Sequence, residues 1–127
     1  MNTDRMIFCF GSNEAGIHGA GAALYAFKNK GAKWGKGYGP SGYSFALPTK
    51  DKRITTLPIN KIAAYVDAFI RYAHTHPQLK FQVTQVGCGL AGFKPEQIAP
   101  LFIGASTNCY FDIGWKEHLP ATAKFWN

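Results

Sequence analysis

Short apolar segments alternate with helical segments along this chain, and polar or glycine-rich loops separate the two kinds. Met6–Phe10 is a continuous apolar run that ends at Gly11, which is typical of a strand buried on both faces. Further strands are predicted at Tyr43–Leu47, Phe81–Val86 and Cys109–Ile113. Because alternating strands and helices pair in parallel through right-handed crossovers, this order predicts an α/β fold with an open, mostly parallel sheet covered by helices on both faces.

Apolar residues recur at spacings of three and four in the segments between the predicted strands. Three helices are predicted: from His18 or Gly19 to Gly31, from Pro58 to His76–Pro77, and from Pro95 onward. The first helix is expected to bury one face formed by Ala22, Ala23, Ala26 and Phe27. The segment Gly31–Gly42 contains five glycines and a proline, so it is predicted to be a long flexible loop.

Length and composition narrow the class of protein. A chain of 127 residues predicts one domain, residues 1–127. A hydrophobic fraction of 46% with 15% aromatics excludes a mainly disordered chain. The sequence contains no stretch of roughly 18 apolar residues, so no membrane span is predicted. The first ten residues do not resemble a signal peptide. Cys9, Cys88 and Cys109 form no CxxC pair, so no metal site is expected and a reducing cytoplasm is the expected location.

The net charge of +7 favours an anionic partner, which includes phosphates, nucleotides, nucleic acid and acidic protein surfaces. In the glycine-rich segment Trp34, Tyr38 and Tyr43 are interleaved with Lys33 and Lys36. Aromatic rings stack on nucleobases while lysines neutralise phosphates, so this segment is a candidate lid or nucleic-acid surface. The alternative is a loop held in place by its own aromatic side chains.

Ligands of a parallel sheet lie at the carboxyl ends of its strands, where three loops are predicted: Gly11–Gly21, Pro48–Arg53 and Gly87–Phe93. Two of these loops are rich in glycine, which lets successive N–H groups converge on an anion. The pair therefore predicts a phosphate-bearing ligand. The sequence contains no GxxxxGK[ST], HExxH or GxSxG motif and no GxGxxG after the first strand. These absences disfavour P-loop kinases and ATPases, zinc proteases, serine hydrolases and dinucleotide dehydrogenases.

Three strings in these loops resemble the ligand loops of macrodomains. They are Phe10-Gly11-Ser12-Asn13 followed by Gly19-Ala20-Gly21-Ala22-Ala23, then Leu47-Pro48-Thr49-Lys50, then Val86-Gly87-Cys88-Gly89-Leu90. The resemblance covers about Met6–Phe102 in matching order. It is strongest to the compact macrodomains that remove ADP-ribose from glutamate side chains or from DNA bases, and it implies a three-layer α-β-α fold.

The resemblance also implies a set of site residues, an ADP-ribose or ADP-ribosylated ligand, and no cofactor. Lys50 corresponds to the lysine that attacks the distal ribose. Asn13 corresponds to a residue near that ribose, and the two glycine loops enclose the diphosphate. The residues expected to bind ligand are Ser12, Asn13, His18, Gly19, Ala20, Gly21, Thr49, Gly87, Cys88, Gly89, Leu90, Ala91, Gly92 and Phe93.

One position departs from the family pattern. In the glutamate-directed relatives an aspartate follows the GCGL string, whereas this chain has Ala91 there, and neither Asp51 nor Glu96 matches that position. The resemblance therefore implies ADP-ribose binding and hydrolysis through Lys50, with a nucleic-acid carrier favoured over glutamate. A non-catalytic module that binds an ADP-ribose-type nucleotide is the alternative, and a nucleic-acid-binding protein without a small-molecule pocket is a third.

Overall fold

The computed structural model describes all 127 residues and contains six strands and three α-helices. The strands are β1 Ile7–Asn13, β2 Gly39–Ser41, β3 Ser44–Lys50, β4 Phe81–Val83, β5 Cys109–Asp112 and β6 Lys124–Trp126. The helices are α1 Gly21–Asn29, α2 Ile59–His74 and α3 Pro95–Ile98. Two 3₁₀ turns, Ala99–Phe102 and Ile113–His118, complete the regular structure. None of the helices is both long and apolar enough to cross a membrane.

All six strands form one sheet in the order β2-β3-β1-β4-β5-β6, and only β2 is antiparallel to its neighbour. Helix α1 covers one face, where Ala23 and Ala26 pack with Phe8 and Phe10. Helices α2 and α3 cover the other face. The structure thus confirms the predicted α/β class, a mostly parallel sheet between two layers of helices.

The larger core lies under α2, on the sheet face that carries Cys9 and Phe45. The apolar stripe of α2 places Phe69 at its centre, where the ring meets Phe45, Phe81 and Phe102 at centroid distances of 5.1, 5.3 and 6.1 Å. These edge-to-face contacts are the favoured geometry for aromatic rings. The residues of this core come from segments that are far apart in the sequence. Their packing against one another therefore helps to fix the order of the strands.

The bounds of the elements differ from the predictions where local pattern and long-range pairing disagree. β1 and β3 both run past their apolar cores into residues predicted as loop, because the two strands keep pairing from Phe8↔Ser44 to Asn13↔Lys50. β4 ends at Val83 rather than Val86, since the Thr84 hydroxyl and N–H both donate to the Cys9 carbonyl. Helix α1 begins at Gly21 instead of His18 or Gly19. The three-residue edge strands β2 and β6 were not predicted.

The α1 face is also narrower than predicted. Ala23 and Ala26 are buried, whereas Ala22 and Phe27 are exposed. Three alanines and one phenylalanine in a short helix are compatible with several rotations of that helix, so their pattern alone does not set which side meets the sheet. Tertiary packing against Phe8 and Phe10 sets it.

The segment Gly31–Gly42 is packed against the chain, contrary to the predicted flexible loop. The N–H of Gly35 donates to the carbonyl of Gly16 at 2.8 Å, and a Cβ at Gly37 would overlap the carbonyl of Asn13. The close approach explains the glycine at position 37, and a φ of +89° explains the glycine at position 35. The aromatics of this segment separate, because Trp34 contacts His18 and Phe27 while Tyr38 contacts Phe45 and Tyr65 on the other side of the sheet.

Candidate functional site

The main cavity lies at the carboxyl ends of β1, β3 and β4, where the direction of the chain changes. From β1 the chain passes to α1 on one face of the sheet, whereas from β3 and β4 it passes to α2 and α3 on the other. Loops that leave in opposite directions open a crevice between them. The cavity has a volume of about 370 Å³, within the range of small-molecule sites.

Most of the predicted site residues line this cavity. Those that do are Ser12, Asn13, Gly19, Ala20, Gly21, Thr49, Lys50, Gly87, Gly89, Leu90 and Ala91. The structure therefore brings together residues from all three predicted loops, which lie up to about 80 positions apart in the sequence.

One wall of the cavity is the amino-terminal end of α1. The N-cap residue Ala20 has no side chain that can cap the helix, and the N–H groups of Gly19–Ala23 make no hydrogen bond within the protein. Gly21 has a φ of +57°, a left-handed conformation that glycine adopts without strain. Free N–H groups and the positive end of the helix dipole make this wall suited to an anion.

The opposite wall is the segment Gly87–Ala91. The N–H groups of Gly87, Gly89, Leu90 and Ala91 have no partner within the protein. The shape of the segment is held by its other amides, because Cys88 donates to Gln85, Gly92 to Gly89, and Phe93 to Gly87. A second set of unpaired donors thus faces the first across the cavity, and together they form a cradle for a group with several anionic oxygens.

Lys50 is the charged side chain of the cavity, and no carboxylate or histidine lines it. It is the last residue of β3 and the register partner of Asn13, after an irregularity between Ser12 and Asn13. The Lys50 ammonium makes no salt bridge. A lysine without a carboxylate partner is available to an incoming ligand, either as a cation or as a nucleophile.

Two polar side chains predicted to touch ligand also hold the backbone of the site. The Asn13 amide donates to the Ile17 carbonyl at 2.8 Å, and its oxygen accepts the Ile17 N–H at 3.0 Å. This double hydrogen bond closes the turn that leads into the first glycine loop. Thr49 is buried, and its hydroxyl donates to the Ser12 carbonyl at 3.4 Å, which ties the ends of β1 and β3 together.

The loop after β3 is strained at Ile54, which has a φ of +64°. A β-branched residue rarely adopts this left-handed conformation. It is imposed by Asp51, whose carboxylate accepts the N–H groups of Arg53 and Thr55 at 2.8 and 3.0 Å. The hydroxyl of Thr56 then donates to the Ala91 carbonyl at 3.1 Å, so this loop is tied to the second glycine loop.

Four of the predicted residues do not line the cavity: His18, Cys88, Gly92 and Phe93. The His18 ring is fully buried, meets Phe10 edge-on at 5.4 Å, and places Nε2 2.9 Å from the Lys33 carbonyl. It supports the glycine-rich segment. Burial raises the pKa of the Cys88 thiol, an effect that disfavours the thiolate needed for nucleophilic attack.

Several lining residues were not among the predicted ones, chiefly Ile17, Ile54, Thr84 and Gln85. Thr84 and Gln85 lie in a run of β-forming residues and were assigned to a strand that ends before them. The Gln85 side chain donates to Asp112, a contact between the segment after β4 and the end of β5. Ile17 and Ile54 carry no sequence signal, because an exposed apolar residue in a loop is common.

Comparison with known proteins supplies one structural relative. No family model and no curated protein sequence match the chain. The structure resembles that of Thermosipho africanus DarTG in complex with ADP-ribose, with a TM-score of 0.57 and 18% sequence identity. The match covers 96% of this chain and 40% of that chain. At this identity the likeness shows the fold, which is macrodomain-like, and no subtype.

Proposed function

We propose that this protein binds ADP-ribose in the cavity at the carboxyl edge of its sheet. The observation that carries the proposal is the pair of N–H sets without partners that face each other across the cavity. One set is at Gly19–Ala23, the other is at Gly87 and Gly89–Ala91, and the charged side chain of the cavity is Lys50. A diphosphate supplies the anionic oxygens that such donors require. The structural neighbour was solved with ADP-ribose, which supports this choice among diphosphates.

In the proposed complex the diphosphate lies between the two walls, and the distal ribose lies beside Asn13 and Lys50. This orientation follows the resemblance of the loops to those of macrodomains. It is supported by the register of β1 and β3, which sets Asn13 and Lys50 side by side at the rim of the cavity. The exposed apolar residues Ile17, Ile54 and Leu90 also line the cavity and offer non-polar contact to the rest of the ligand.

We further propose that Lys50 removes ADP-ribose from a carrier. The Lys50 ammonium gives a proton to solvent, and the lone pair of the resulting amine forms a bond to C1″ of the distal ribose as the bond from C1″ to the carrier breaks. The carrier leaves with that electron pair and takes up a proton. The ring then opens, with the Nζ proton passing to the ring oxygen, and an imine joins Nζ to C1″. Addition of water to the imine carbon releases ADP-ribose and restores the lysine.

The test combines binding and turnover on the same protein. Calorimetry with free ADP-ribose should give micromolar binding, and the absence of binding at millimolar ligand would remove both catalytic and non-catalytic versions of the proposal. Lys50→Ala should abolish release of ADP-ribose while changing ADP-ribose affinity only several-fold, since a group that reacts in the transition state contributes to kcat. Borohydride should trap an adduct on the wild type and none on Lys50→Ala. Equal turnover by the two proteins would eliminate the mechanism.

A non-catalytic binder is the second candidate, and the lack of any carboxylate lining the cavity favours it. Ala91 stands where the glutamate-directed relatives have an aspartate, so cleavage of glutamate-linked ADP-ribose is expected to be weak or absent. Micromolar binding of ADP-ribose without turnover or a borohydride adduct, on any carrier, would decide for this candidate.

A nucleic acid is the carrier that the charge distribution favours. Residues 15–50 contain five lysines and no acidic residue, and this segment forms α1, the glycine-rich segment and β3. The side chains of Lys28, Lys33 and Lys36 are exposed, as is Trp34, and no acidic residue of the same segment offsets their positive charge. An anionic polymer is attracted to such a surface, and its bases can stack on the indole.

A further inference from the structure

A second groove lies beside the main cavity, on the α2 side of the sheet. One wall is the exposed face of α2, where Ala64 and Ala68 are one turn apart. The other wall is formed by Tyr38 and Glu14, and the volume of the groove is about 520 Å³. Two alanines at helical spacing leave space next to Tyr38 that a larger side chain would fill. The function proposed above makes no use of this groove.

The aromatic wall of the groove is held in place before any ligand arrives. Tyr38 meets Phe45 edge-on at 5.5 Å and lies 5.5 Å from Tyr65, with 32° between the two ring planes. The Tyr65 hydroxyl donates to a Glu14 carboxylate oxygen at 2.5 Å. About a third of the Tyr38 surface (36%) is nevertheless exposed. A ring that is fixed and yet open to solvent loses little conformational entropy when a planar group packs on it.

The groove adjoins the end of the main cavity at which Lys50 lies. Asn13 lines the cavity and Glu14, the next residue, lines the groove. Their Cα atoms are therefore about 3.8 Å apart. The Glu14 N–H donates to the Lys50 carbonyl at 2.9 Å, so the segment that separates the two sites is bonded to the backbone of Lys50. The main cavity and the groove are therefore lined by consecutive residues, Asn13 and Glu14, at the end of β1.

We propose that this groove binds a nucleobase of a single-stranded nucleic acid, next to the nucleotide that carries ADP-ribose in the main cavity; the link to the carrier rests on the proposed function. The base packs on Tyr38 above the methyl groups of Ala64 and Ala68. The second Glu14 oxygen offers a hydrogen-bond acceptor to the edge of the base, and the Asn60 amide offers both a donor and an acceptor. The Lys61 ammonium offers a positive charge to the phosphate of the same nucleotide.

Two tyrosines beside a carboxylate also suit the guanidinium group of an arginine in a peptide. The charge of the protein argues against this occupant. The net charge of +7 repels a basic peptide, Lys61 lies in the groove itself, and one oxygen of Glu14 is already engaged by Tyr65. A nucleobase is uncharged and its backbone is anionic, so it is compatible with both the local and the overall charge.

The test measures binding of a fluorescent, unmodified single-stranded DNA of about ten nucleotides by anisotropy at several salt concentrations. Tyr38→Ala removes the stacking ring. Ala64→Leu fills the groove at an exposed helical position with a residue of good helix propensity. Ala121→Leu is the matched control, because it adds the same side chain at an exposed position outside the groove. Free ADP-ribose affinity is measured on every variant, and thermal unfolding checks that each is folded.

Tyr38→Ala and Ala64→Leu should each weaken DNA binding at least about fivefold, by the same factor at every salt concentration, because stacking involves no counterion release. Ala121→Leu and the ADP-ribose affinities should not change. Unaltered DNA affinity in folded Tyr38→Ala and Ala64→Leu would overturn the groove as a base site. The base site would also be overturned if the wild type did not bind DNA. The same holds if the wild type bound an arginine-rich peptide more tightly than DNA and Ala64→Leu abolished that peptide binding. If the wild type did not bind ADP-ribose while Tyr38→Ala and Ala64→Leu still weakened DNA binding, only the proposed function would be contradicted.

Discussion

Substitution at Gly89 separates the effect of charge from the effect of bulk in the cradle of the main cavity. An ideal Cβ at Gly89 meets no heavy atom within 4 Å, and its φ is not in the left-handed region. A side chain can therefore be added without displacing the backbone. Gly21 is less suitable, because its φ of +57° makes any side chain there strained. Gly89→Glu and Gly89→Gln have nearly the same size and differ by one negative charge.

The expected magnitude follows from Coulomb's law. A Glu carboxylate about 5 Å from one phosphate, at an effective dielectric constant of about 20, is repelled by about 3 kcal/mol. Such a loss corresponds to more than a hundredfold in the dissociation constant of ADP-ribose. Gly89→Gln leaves the N–H donors and adds only bulk at the rim, so its loss should be about tenfold or less.

Calorimetry at low and high salt is the assay, with thermal unfolding as the check on folding. The gap between the two variants should narrow at high salt, because added ions screen the repulsion between partly exposed charges. Equal affinities of both folded variants and the wild type would show that no diphosphate lies beside Gly89. Equal losses in both variants would show that an uncharged part of the ligand lies there instead.

Three further predictions concern the surface, the strained loop and the groove. Lys33→Ala with Lys36→Ala should flatten the salt dependence of single-stranded DNA binding by about 0.7 in log–log slope per lysine and leave ADP-ribose affinity unchanged; an unchanged slope would remove this surface as a phosphate contact. Ile54→Gly should raise the free energy of unfolding by about 0.5–1 kcal/mol in denaturant titrations, since relief of a left-handed φ outweighs the entropy of glycine; a loss of stability would contradict the strain at φ +64°. The hydrogen bond to Glu14, with burial, raises the pKa of Tyr65 to about 12. The folded state therefore holds this proton more tightly than the unfolded chain, and the stabilisation is present below about pH 10 and lost as the pH rises toward 12. Over that range the wild type should lose more stability than Tyr65→Phe, and parallel curves would argue against the bond.

The sequence alone determined four of the six strands, the three helices and the edge of the sheet that holds the glycine loops. The apolar run Met6–Phe10, the stripe of α2 and the glycines of Gly87–Gly92 are local patterns. Each follows from the few residues around it, because helical and strand periodicity and the conformational freedom of glycine act over short distances. The predicted α/β class and its mostly parallel sheet followed from their order.

The neighbours of each strand and the directions of the side chains were decided only by the tertiary structure. Asn13 stands beside Lys50, 37 positions away, because β1 pairs with β3 through a register shift that no local pattern encodes. His18 turns into a buried aromatic contact instead of the cavity, and Trp34 and Tyr38 diverge to opposite faces of the sheet. Pairing register and close packing between distant segments set these directions, since a shift of one residue sends a side chain to the opposite face.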